Sequence, residues 1–190
     1  MKKNLIKVTI ILSMLLLTLI PLSVNAATSG TCGDNLTWKL DTNGKLTISG
    51  TGEMYSFDDD DPEWYDSKAS IKEIVLNKGV TSVGEYAFSN CKNLTKLSMP
   101  EGITEIGKAA FMSCDKLGNF VMPSTVTAIY SSAFSYCYSL TNITFPNSLS
   151  FMGEGAFRGC WFSEISIPDS TTIVYTDELK IRLSVAHILY

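Results

Sequence analysis

The stretch LTKLSMPEGITEIGKAAFMSCDKL, Leu94 to Leu117, holds one copy of a unit written four times between Ile71 and about Ser170. Phe88, Phe111, Phe134 and Phe157 stand 23 residues apart, as do Cys91, Cys114, Cys137 and Cys160. An alanine precedes every one of those phenylalanines: Ala87, Ala110, Ala133 and Ala156. Upstream in each unit come two apolar positions three apart, Val80/Val83, Ile103/Ile106, Val126/Ile129 and Leu149/Met152. Downstream, paired apolar residues run into a proline: Leu97/Met99/Pro100, Phe120/Met122/Pro123 and Ile143/Phe145/Pro146. The last set, Ile165/Ile167/Pro168, arrives one residue early. A fixed period in this range is the signature of a stacked solenoid.

The spacing predicts the shape of one coil. Leu97-Ser98-Met99 alternates apolar and polar, as a short strand with one buried face does. Pro100 has no amide hydrogen and ends the strand. Ile103 to Ile106 turns a second apolar edge inward, and Gly84, Gly107 and Gly153 permit a tight bend behind it. Ala-Phe-x-x-Cys suits a single helical or 3₁₀ turn. One coil cannot bury its own phenylalanine, whereas stacked coils bury each against the next.

Read as LxxLxMPxxIxxIGxxAFxxCxxL, the stretch from Leu94 to Leu117 resembles the BspA-type leucine-rich repeat. The resemblance implies a right-handed solenoid coil with short parallel strands. It also implies a secreted or cell-surface protein used in adhesion and protein interaction, with no catalytic residues to carry over. Two departures stand out. Tyr130 occupies the place of the bend glycine, and the fourth unit is one residue short near Trp161.

Outward from the repeats, the chain falls into four expected segments: 1–26, 27–70, 71–170 and 171–190. Lys2, Lys3 and Lys7 precede an apolar run of 13 residues, Val8 to Ile20, followed by Val24-Asn25-Ala26. That is the pattern of a secretory signal peptide cut after Ala26. The run is short of the roughly 20 residues that a membrane-spanning helix needs. Cleavage would leave 164 residues with 12 basic and 19 acidic side chains, a balance of −7. Such a surface argues against nucleic acid and anionic membrane as partners.

Residues 27–70 read as an N-terminal β cap. Trp38-Lys39-Leu40 and Lys45 to Ile48 flank Asn43-Gly44, a hairpin turn signal, and this run also resembles the leader found ahead of BspA-type repeats. A solenoid end exposes a coil face and a sheet edge, so a cap is expected. Asp58 to Asp61 reads as a solvated acidic loop; a calcium loop is the alternative, without the EF-hand spacing. After Pro168 the repeat stops. The tail, Thr172 to Tyr175 and Ile181 to Tyr190, reads either as a closing strand or cap or as a truncated end.

Chemistry is scarce. The sole histidine, His187, lies in the tail, so no His-based triad or His-rich metal site is available. No nucleophile elbow, phosphate loop or dinucleotide fingerprint occurs. Paired carboxylates of the glycosidase kind leave no linear signature. No cofactor and no enzymatic activity is expected. Four of the five cysteines repeat beside the buried phenylalanine, where a reduced thiol packs as a small hydrophobe. Disulfides between coils are the alternative, and a row without histidine offers zinc no tetrahedron.

Two binding readings follow. In the first, the chain is an extracellular module that binds a protein on another cell, a host matrix or a microbial surface. Its face is the outward row of the repeat sheet: Glu73/Val75, Lys96/Ser98, Asn119/Val121, Asn142/Thr144 and Glu164/Ser166. In the second, Tyr136, Tyr138 and Trp161 bind glycans; Tyr138 and Trp161 share a repeat offset and should stack about 5 Å apart. The plainer role for those rings is a partly buried edge that protects the end of the solenoid.

Overall fold

A computed structural model describes residues 28–58, 62–163 and 165–174. The signal-peptide reading of residues 1–26, most of the acidic run (59–61), Glu164 and the tail from Tyr175 onward, His187 included, lie outside the described residues.

The cap is three antiparallel strands. β1 (Ser29–Gly33) pairs with β2 (Leu36–Leu40), which pairs with β3 (Lys45–Gly50) with Leu40 opposite Leu46. The expected hairpin turn is there. Gly44 takes φ +86°, and the Asp41 carboxylate accepts the amides of Asn43 (2.8 Å) and Lys45 (2.9 Å). β3 then pairs in parallel with β4 (Glu73–Leu76), so the cap and the first coil share one sheet. A 3₁₀ helix, Tyr65–Ser70, carries the chain between them.

A second sheet runs the length of the coils. β5 (Ser82–Val83), β7 (Glu105–Ile106), β8 (Ala128–Ile129), β9 (Phe151–Met152) and β10 (Thr172–Ile173) form a parallel second sheet in the order β10-β9-β8-β7-β5. Its outward register is Ser82, Glu105, Ala128, Phe151 and Thr172. The closing strand considered for the tail is thus present at Thr172–Ile173.

The first sheet is shorter than the repeat pattern predicts. It ends at β6 (Lys96–Ser98), and residues 119–121 and 142–144 carry no ladder. One step beyond that end, the bonding between coils changes at Asn119. In the earlier coil the Lys72 carbonyl accepts the amides of Thr95 (2.9 Å) and Lys96 (3.3 Å). Two coils later, the equivalent amides of Thr141 (3.1 Å) and Asn142 (2.9 Å) go to the Asn119 side-chain oxygen instead. A side-chain carbonyl has replaced a main-chain one, so the coils stay joined while the strand register lapses.

Down the axis runs an aromatic spine. Trp38, Trp64, Phe88, Phe111, Phe134 and Phe157 follow with ring centroids 5.5, 5.6, 5.2, 5.1 and 5.2 Å apart, the last four contacts stacked. Trp64 supplies the ring ahead of the first Ala-Phe pair, and its indole N–H donates to the Ala87 carbonyl at 2.8 Å. Leu94, Leu117 and Leu140, with Ile103, Ile106, Val126 and Ile129, are fully buried around the spine.

The Ala-Phe-x-x-Cys turn forms as a string of short turns rather than a continuous helix. Ala87, Ser89 and Cys91 donate to the carbonyls three residues back, as in 3₁₀ structure. The alternate residues Tyr86, Phe88 and Asn90 donate outward to Lys108, Ala110 and Met112 of the next coil at 2.7–2.9 Å. Reaching outward puts two residues per coil in the left-handed region: Tyr86/Asn90, Ala109/Ser113, Ser132/Tyr136 and Gly155/Gly159, with φ from 51° to 79°.

The cysteines are free and buried. The thiols of Cys114, Cys137 and Cys160 donate to the carbonyls of Phe88, Phe111 and Phe134 at 3.2–3.3 Å, which ties each thiol to the coil before it. Burial pushes the Cys91 thiol from an ordinary 9.0 up to about 12 and holds Cys114 well above its ordinary value.

Candidate functional site

Alternation along each coil decides which side chains face out. Of the row expected on the first sheet, Lys96, Ser98, Val121, Asn142, Thr144 and Ser166 are exposed. Val121 is 85% exposed, the most of any large hydrophobic among the described residues. A valine side chain left this bare contributes nothing to the core. Glu73 and Val75 are half-buried, and Glu73 lies 3.8 Å from the Lys45 ammonium. A pair that open to solvent contributes little to stability. Asn119 is exposed, but its amide oxygen already holds Thr141 and Asn142, so it is a structural residue of the row.

Hydroxyl groups line the seams between coils. Thr104 and Thr127 donate their side-chain hydroxyls to the carbonyls of Thr81 and Thr104, and Ser150 donates to Thr127, at 3.1–3.3 Å. Thr125, Ser148 and Thr171 do the same one column away, at 2.7–2.8 Å. These polar outward residues are therefore committed to the backbone, and the alternation pattern alone did not separate them from free ones.

Within the aromatic cluster, one ring contact lies inside a single coil. Tyr138 packs against Tyr136 of its own coil, with centroids 6.1 Å apart and planes tilted by 51°. Trp161 is 64% exposed and donates its backbone amide to the Leu140 carbonyl. The pairing is set within the coil because Tyr136 occupies one of the left-handed positions, φ 63°, which brings it beside the residue two places on.

The second sheet presents a face that the sequence pattern did not single out. Tyr130, the residue standing in a glycine column, fits because its neighbours Gly107 and Gly153 carry no side chain. A Cβ on Gly153 would come within 2.4 Å of the Ser131 amide nitrogen, whereas Tyr130 is 38% exposed. Its hydroxyl donates to Glu105 at 3.3 Å, and its ring lies 5.5 Å from that of Phe151. Partial burial, then the Glu105 charge and hydrogen bond, raise the Tyr130 phenol above its usual value. The signal that marks this place in the sequence is the tyrosine itself, where three sibling coils have glycine.

Among the described residues no three His, Cys, Asp or Glu side chains converge as a metal site would require. No helix among them is long and apolar enough to cross a membrane.

Comparison with known proteins places these features. A model of the BspA type leucine rich repeat region matches residues 61–180 in six copies. A leucine-rich repeat protein from Eubacterium ventriosum is similar at 30% identity, with a TM-score of 0.68 over 80% of this chain and 41% of that one. One from Bacteroides ovatus is 30% identical, with a TM-score of 0.53 over 77% of this chain and 37% of that one. The chain thus spans well under half the length of either protein. A T. pallidum leucine-rich repeat protein, 20% identical with a TM-score of 0.58, shares the fold; the match covers 82% of this chain and 95% of that one. Curated proteins give no match.

Proposed function

The chain belongs to the BspA-type leucine-rich repeat family, and we propose that it is a secreted or cell-surface protein that binds a protein partner through the outward row that begins on its first sheet and continues over residues 119–121 and 142–144. One observation carries the reading: Val121, 85% exposed, sits in the middle of that row, bordered by Lys96, Ser98, Asn142 and Thr144, all exposed. An apolar centre with a polar, solvated rim is the anatomy of a protein interface. Solenoids bind through such continuous surfaces spread over several repeats. The reading implies binding without turnover.

The test has two arms. Expression of residues 1–190 in a secreting bacterium should deliver a chain whose N-terminus is Ala27 to the medium or the cell surface. Purified 27–190 should then retain a partner from host-matrix or microbial-surface extracts. Lys96→Glu, Val121→Glu and Asn142→Glu together should abolish retention with the thermal midpoint unchanged, because added charge disturbs an interface more than a core it does not touch. The exposed rings of Tyr136, Tyr138 and Trp161 favour glycan binding as a second reading. It replaces the first if the triple variant binds normally while Tyr138→Ala/Trp161→Ala does not.

A further inference from the structure

On the second sheet, Glu105, Ala128 and Phe151 stand side by side in register on β7, β8 and β9. The small Ala128 separates the carboxylate from the phenyl ring. Tyr130, two residues along β8's course, reaches both: its hydroxyl to Glu105 at 3.3 Å and its ring to Phe151 at 5.5 Å and 50°. Two rings set at an angle with a carboxylate at their edge match the needs of an organic cation. The ring faces attract positive charge through their quadrupoles, and the carboxylate takes the N–H groups.

Charge on this face points the same way. Lys45 pairs with Glu73 on the other sheet, and no described lysine or arginine pairs with Glu105. Lys108, the nearest lysine along the chain, is turned away, its ammonium 5.5 Å from the Tyr86 ring and drawn toward Glu85.

We propose that Glu105, Tyr130 and Phe151 form a docking site for a lysine or arginine side chain on an extended, basic segment of a partner protein. The site lies on the other sheet from the proposed interaction row and does not rest on it. A segment crossing the strands would place one cation against the two rings and Glu105. The partner is committed to a polypeptide because the sheet continues on both sides of the cluster, from Ser82 to Thr172, so that an extended chain can lie across its strands.

Fluorescence anisotropy with fluorescein-labelled hexalysine, titrated with the mature chain, tests the site. Wild-type chain should bind, and labelled hexaglutamate should not. Tyr130→Gly, which keeps every charge and restores the sibling residue, and Phe151→Ser should each weaken hexalysine binding by about two- to fivefold. Glu105→Gln should weaken it by about threefold, and Tyr130→Phe should bind like wild type. Asp66→Asn removes the same charge from the distant 3₁₀ helix and should change affinity by less than about 1.5-fold. Circular dichroism melts of every variant report folding independently. Full hexalysine affinity in folded Tyr130→Gly and Phe151→Ser overturns the site, as does an equal loss in Asp66→Asn. Tighter binding of tetramethylammonium than of hexalysine would overturn the commitment to a polypeptide. Loss of extract binding by the first-sheet triple variant, with hexalysine binding intact, would keep the two surfaces distinct.

Discussion

Phe111→Ala gives the sharpest test of how this solenoid holds together. The ring is fully buried and faces Phe88 at 5.2 Å and Phe134 at 5.1 Å, so truncation removes contacts on both sides. Aromatic-to-alanine changes in packed cores cost about 3–5 kcal/mol, more where the site cannot collapse. Here it cannot easily collapse. Phe88 and Phe111 donate to the Ala110 and Ala133 carbonyls at 2.8 and 2.7 Å, which fixes the coil spacing independently of the rings. The loss should therefore fall near the top of the range, about 4–5 kcal/mol, including two ring pairs of about 0.5–1.5 kcal/mol each. For a chain of this size that lowers the thermal midpoint by about 8–20 °C. Urea denaturation of the purified chain, followed by circular dichroism, measures it. Ser98→Ala, exposed on β6, should stay within about 0.5 kcal/mol. Comparable losses in the two variants would refute the assignment of inward and outward positions.

Asn119→Ala should cost about 1–2 kcal/mol, since it strands two backbone amides, and should speed hydrogen exchange at Thr141 and Asn142; the exposed Asn142→Ala should do neither. Alkylation of native protein should leave all five buried cysteines unmodified at neutral pH, and alkylation after unfolding without reductant should label all five. An intact disulfide in that second experiment would contradict the free ladder. Because burial raises the folded Cys91 thiol from 9.0 to about 12, its contribution is fully present below pH 9 and is lost as pH rises toward 12; urea midpoints should fall across that window. Ser113→Gly should raise stability by about 0.5–1 kcal/mol by removing a left-handed side-chain penalty at φ 58°, as Gly159 already does in the last coil, and an unchanged melt would deny that strain.

The period and the inward residues were legible because burial repeats with the coil: every Phe, Cys and Leu at a fixed offset meets its counterpart next door. The Asn43-Gly44 hairpin was legible because its turn demands a positive φ that glycine supplies cheaply. β1 was not, since Ser29-Gly30-Thr31-Cys32-Gly33 has two glycines and little strand-like patterning. The early end of the first sheet was hidden too, because the apolar alternation continues through Phe120/Met122 and Ile143/Phe145 where the ladder does not. Of the candidate surfaces, alternation gave the exposed row but not Asn119's structural role. It was silent on the second sheet, where two-residue strands are too short to carry a pattern.

The left-handed columns show why this repeat tolerates such varied residues. Tyr86, Ala109, Ser132 and Gly155 share one column, and Asn90, Ser113, Tyr136 and Gly159 the other. A non-glycine residue there costs on the order of 1 kcal/mol, yet the columns are not reserved for glycine. The alternation of in-coil and coil-to-coil hydrogen bonds around each Phe over-determines the backbone, so strain persists wherever the surroundings enforce it. Side-chain identity in these columns is then released from the backbone and set by what faces solvent. The same release operates at Tyr130, where the column's usual glycine is needed only if the preceding coil's backbone comes too close for a Cβ. A solenoid built this way fixes its rings, thiols and seam hydroxyls, and leaves its outward columns free to differ from coil to coil. The two surfaces argued above, Val121 with its polar rim and Tyr130 with Glu105 and Phe151, both lie in those free columns.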